Sequence, residues 1–66
     1  MINLNEFLMI FPKTKMLIYE IDDYEYKQIE MGDSTDLFYH CSKKFKDKKV
    51  FSARVECDGT IEVVTI

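Results

Sequence analysis

His40 and Cys41 are the residues of this chain whose types suggest a base and a nucleophile, and Asp36 lies four positions before His40, where a helix would bring it alongside. Adjacent helical positions point about 100° apart, so His40 and Cys41 cannot share a proton through their side chains. The pattern supplies neither a nucleophile within reach of His40 nor an oxyanion site, and predicts no catalytic residue. Asp22, Asp23 and Glu25 cluster without the glycine and spaced ligands of a calcium loop, and His40, Cys41 and Cys57 fall short of a four-ligand zinc set. Gly32 and Gly59 stand alone, so no glycine-rich phosphate cradle is present. We expect no metal, no cofactor and no enzymatic activity.

Charge is the second source of chemistry. Glu20 to Asp36 holds seven acidic residues and one lysine, whereas Lys43 to Lys49 holds five lysines and one aspartate. The acidic stretch, Glu20, Asp22, Asp23, Glu25, Glu30, Asp33 and Asp36, could steer the chain towards a basic protein groove, with Tyr19, Tyr24 and Tyr26 as anchors. Lys43, Lys44, Lys46, Lys48 and Lys49 could hold phosphates, with Phe45 or Tyr39 stacking on bases. A pI near 5.0 weighs against a dedicated nucleic-acid binder. Charged segments also serve simply as solvated surface.

These residues must be positioned by a small frame. Sixty-six residues make a single domain, 1–66, and 47% hydrophobic residues with nine aromatics mark it as globular. So much apolar surface in so short a chain favours a homodimer or a standing partner. Two cysteines without CxxC spacing suit a reducing cytoplasm, and the absence of a basic leader or of an apolar run of about 18 residues predicts neither signal peptide nor membrane anchor.

Asn3 and Glu6 form a capping-box pattern, and Leu4, Phe7, Leu8 and Phe11 recur at helical spacing up to Pro12, which predicts a helix over 4–11. Met16 to Ile21 and Tyr24 to Ile29 read as strands across an Asp22-Asp23 turn, pairing Ile21 with Tyr24 and Tyr19 with Tyr26. Polarity does not decide which face of that hairpin turns inward. Gly32 to Asp36 reads as a turn into a second helix capped by Asp33 or Ser34, running to about Phe45 with Leu37, Phe38, Cys41 and Phe45 on one side.

The last hairpin is the most determined. A two-residue Asp58-Gly59 loop would set Val55 against Glu62, mixing charge with core. A three-residue Cys57-Asp58-Gly59 loop with Gly59 left-handed sets Val55 against Ile61, Ala53 against Val63 and Arg54 against Glu62. The result is an α+β fold, α-β-β-α-β-β, with a four-stranded antiparallel sheet and two short helices on one face. Val64, Ile66, Val50 and part of the first hairpin are expected on the other face, a candidate interface.

Leu4, Phe7 and Leu8 at the start, Gly32, Asp36 and Leu37 at the central turn, and the closing Val50 to Val55 strand with Ala53 resemble short proteins encoded by phages and mobile elements of Gram-positive bacteria. The resemblance implies an accessory role, and among such proteins anti-CRISPR and other anti-defence inhibitors are prominent. The resemblance implies stoichiometric action, by binding a host defence protein such as a Cas effector or by capturing a signal, and here the acidic stretch would imitate nucleic acid before a basic groove. Two alternatives stand beside this reading: a small nucleic-acid-binding or regulatory phage protein using the lysine run, and a structural dimer of a phage assembly.

Overall fold

The chain's computed structural model describes every residue except Cys41 and Ser42, and Lys44 through its backbone only. Helix α1 covers Leu4–Ile10, strands β1 and β2 cover Lys15–Asp22 and Glu25–Asp33, α2 covers Ser34–His40, the single turn α3 covers Lys43–Lys46, and β3 and β4 cover Val50–Val55 and Ile61–Thr65. The α+β order stands. α2 and α3 span the expected second helix, and the Cys41 position expected on its inner side lies outside the described residues.

The start of α1 forms as its residues dictate. Asn3 Oδ1 accepts from Glu6 N at 2.8 Å, Glu6 Oε1 accepts from Asn3 N at 3.5 Å, and the helix ends at Phe11 before Pro12. Asp33 is the cap of α2, accepting from Thr35 N at 2.9 Å. Ser34, fully buried, instead latches the preceding loop: its hydroxyl donates to Phe11 O and accepts from Thr14 N, while Ser34 N donates to Thr14 O at 2.7 Å.

The sheet runs β2-β1-β4-β3 and is mixed rather than wholly antiparallel. Each hairpin is antiparallel, but β1 and β4 meet in parallel, with Met16 opposite Ile61 and Ile18 opposite Val63. The cause is the helical crossover. α2 and α3 return the chain to the end where β2 began, so β3 runs with β2, and β4 therefore runs with β1.

That parallel seam decides the inward face. Met16, Ile18, Ile61 and Val63 meet Leu4, Phe7, Leu8 and Leu37 in the core, with Ile29, Phe38, Phe45 and Val50 packed against it. Val50 thus lies on the helix side, contrary to expectation, because it pairs with buried Thr65 before a bulge shifts the register at Phe51. Beyond Val50 the rest of β3 is uncovered, which leaves Ala53 and Val55 exposed although they continue the apolar row.

The register of β3–β4 is as derived: Val55 faces Ile61, Ala53 faces Val63, and Arg54 faces Glu62. Gly59 has φ +89°, and Glu56 N donates to Thr60 O at 2.7 Å, closing a three-residue loop. The register of β1–β2 differs. Asp22 pairs with Glu25, Ile21 with Tyr26 and Tyr19 with Gln28, because the turn residues are Asp23 and Tyr24, at φ +47° and +71°. Two successive left-handed residues give a hairpin turn that matches strand twist, and here neither is glycine. β2 also continues through Gly32 to Asp33, so the expected break at Gly32 is strand.

Candidate partner-binding surface

The β1–β2 hairpin carries most of the residues singled out for binding. Tyr24 is fully exposed at the turn, and Asp22, Asp23 and Glu25 surround it, all exposed. Tyr26, two residues on, is 67% exposed on the sheet face that no helix covers. Tyr19 does not pair directly with Tyr26 but sits diagonally across the ladder, which is within reach of aromatic side chains. Both line a depression of about 360 Å³ with Ser52, Arg54, Glu62 and Val64.

Arg54 is held in that depression by Glu62 at 2.7 Å and Glu56 at 3.1 Å. The hydrogen bond to Glu62, then the charge of Glu56, raises its pKa above the ordinary guanidinium value. The Arg54–Glu62 pair was readable from the register. Its meeting with Tyr19 and Tyr26 was not, since only the parallel pairing of Tyr19 with Val64 brings the two hairpins side by side.

The acidic stretch does not form one continuous surface. Asp22, Asp23 and Glu25 lie at the hairpin tip, whereas Asp33 and Asp36 lie at the start of α2, roughly 25 Å away at about 3.3 Å per strand residue. Glu20 shares the helix-side face with Thr65 and binds Lys48 Nζ at 2.8 Å. Glu30, opposite Ile18, is half-buried on that same side. The acidic groups that face solvent together are therefore those of the tip.

The lysine run is likewise divided. Lys48 is engaged by Glu20, and Lys46 Nζ lies 4.8 Å from the centre of the Phe38 ring. Phe45 packs against the core and is not available for stacking on bases, whereas Tyr39 is 73% exposed. Lys43 and Lys49 are exposed, and the side chain of Lys44 lies outside the described residues.

His40 and Asp36 are both exposed on α2. Cys57 is an exposed free thiol in the β3–β4 loop. Beside it Asp58 accepts from Thr60 N at 2.9 Å, which pulls its carboxyl below the usual carboxylate range. Among the described residues, no three His, Cys, Asp or Glu side chains come together to hold a metal ion, and no helix is long and apolar enough to cross a membrane.

Comparison with known protein families, curated proteins and solved structures finds no match to this chain, so its functional reading rests on the surface just described.

Proposed function

We propose that this chain is a non-enzymatic protein-binding inhibitor that docks through its β1–β2 hairpin onto a basic, nucleic-acid-binding partner. A bacterial defence protein such as a Cas effector is the instance implied by the resemblance to small phage proteins. The observation that carries the reading is Tyr24, a large aromatic held fully in solvent at φ +71° among three carboxylates. A left-handed conformation costs a non-glycine residue about 1–2 kcal/mol, and Tyr24 recovers none of it by burial. A tyrosine kept at that cost fits an interface anchor, with Asp22, Asp23 and Glu25 steering encounter with a cationic surface.

The test is capture of partners by the tagged protein from bacterial lysate, with and without nuclease. A protein partner retained after nuclease treatment supports the proposal and names the target. Recovery that disappears with the nucleic acid, and is also lost when Lys43, Lys44, Lys46, Lys48 and Lys49 are changed to glutamine, replaces it with the nucleic-acid-binding reading.

A further inference from the structure

The two tyrosines on the uncovered face of the sheet are left unstacked. Tyr26 is exposed and Tyr19 is half-buried beside Val64, yet the ring contacts among the described residues are Phe7 with Phe11, Phe38 with Tyr39, and Lys46 over Phe38. Arg54 lines the same depression and stacks on neither ring, because its guanidinium is already committed. Its Nη2 donates to Glu62 Oε2 at 2.7 Å, and its Nε donates to Glu56 Oε1 at 3.2 Å. One cation is thus set against two carboxylates, and Glu62 Oε1 accepts from none of the described residues. Unstacked aromatic faces beside an incompletely used carboxylate attract a further cation.

We propose that, given the basic partner proposed above, on which this site rests, the depression receives an arginine side chain of that partner, stacked on Tyr26 and donating to Glu62 Oε1. The contact thereby extends from the hairpin tip onto the sheet. Tyr26 pairs with Ile21, next to the Asp22–Glu25 pair that closes the hairpin, so the tip carboxylates and the depression form one continuous surface. Its volume of about 360 Å³ suits one side chain rather than a strand or a helix. Chemistry narrows the occupant further. A phosphate or a carboxylate meets a surplus of carboxylates, and a second copy laid face to face sets that surplus against itself. An aliphatic side chain strips water from Arg54 and Glu62 and returns no hydrogen bond. Between the two cationic side chains, the flat and weakly hydrated guanidinium stacks on a tyrosine ring while it donates to a carboxylate, which a lysine ammonium does less well.

Nuclear magnetic resonance titration of the full chain with N-acetyl-arginine amide reads the site directly. Saturable shifts of the Tyr19, Tyr26, Ser52 and Val64 amides are expected, with N-acetyl-lysine amide binding more weakly. Tyr26→Leu at an exposed position and the isosteric Glu62→Gln are each expected to weaken arginine binding about 3- to 5-fold, the same spectra reporting that the fold is intact. Shifts confined to the tip residues Asp22 to Glu25, equal binding of the lysine amide, the same shifts with inorganic phosphate, or shifts that follow protein concentration without ligand would each overturn the site. Capture of a basic protein that is lost on charge reversal at the tip, yet untouched by Tyr26→Leu and Glu62→Gln, would overturn the site and leave the proposed function standing. Arginine amide filling the depression while no basic protein is captured would uphold the site and overturn that function.

Discussion

The two hairpins hold equivalent places in the sheet, each giving one inner and one outer strand, yet their turns solve the same geometric problem in opposite ways. The β3–β4 loop places Gly59 at φ +89°, where no side chain is strained, and fastens Asp58 to Thr60 N. The β1–β2 turn places Asp23 and Tyr24 in left-handed conformations and gives Tyr24 nothing to pack against. One turn is made of residues that suit the backbone. The other holds two non-glycine residues in left-handed conformations, at the expense of local stability, which is what the proposed anchoring role of Tyr24 would account for.

The largest effect that sharpens this comparison lies in the strands themselves. Ile18, on the inner strand of the first hairpin, is fully buried, whereas Val55, on the outer strand of the second, is 68% exposed. Ile18→Ala is expected to lower stability by about 2–5 kcal/mol in urea unfolding, and Val55→Ala by no more than about 0.5 kcal/mol at concentrations where the chain is monomeric. Similar losses at the two positions would mean that the helix layer covers β3 after all.

The turns come next and should respond with opposite signs. A Cβ at Gly59 meets no atom within 4 Å, so Gly59→Ala is penalised by its backbone conformation alone, at about 1 kcal/mol. Tyr24→Gly relieves the same kind of strain and is expected to raise stability by about 1 kcal/mol while weakening partner capture. A Tyr24→Gly variant that is both less stable and fully able to bind would remove the contrast between the turns.

The smallest effect is a pH dependence at the β3–β4 loop. The backbone N–H of Thr60 holds the Asp58 pKa below its ordinary value, so the stabilisation from the charged form is complete above the usual carboxylate range and is lost as pH falls through the folded pKa. Asp58→Asn keeps an oxygen acceptor without the charge. Its stability relative to wild type should improve as pH falls below about 4, and parallel stability curves for the two proteins would contradict this assignment.

How much of this was legible in the residues follows the same divide. Alternation over Phe51 to Val55 and over Thr60 to Val63, with Gly59 between them, sets the register from Ala53 to Val55, while the bulge at Phe51 that turns Val50 inward leaves no mark in that pattern, and the Asn3–Glu6 cap follows from two residues three apart. The first hairpin has no glycine at its turn, and polarity alone points to Asp22-Asp23; the chain turns one residue further on, at Asp23-Tyr24, which moves Tyr26 from Tyr19 to Ile21. β1 is apolar on both faces, and only its parallel pairing with β4 selects Met16 and Ile18 for the core.

For the candidate surface, residue types were informative and their neighbours were not. Asp22, Asp23, Tyr24 and Glu25 stand together because they are contiguous at a turn. Glu20 left the acidic group for Lys48, and Phe45 left the lysine group for the core, through contacts between segments far apart in the chain. Periodicity within one segment carries no record of such pairings.

The most direct test of the central claim compares the wild type with a variant carrying Asp22→Lys, Asp23→Lys and Glu25→Lys, all exposed positions, in capture from nuclease-treated bacterial lysate, with folding checked by circular dichroism. A folded variant that loses the captured protein, while Val55→Lys retains it, is the predicted result. Undiminished capture by the charge-reversed hairpin would contradict the account and move the binding surface elsewhere on the molecule.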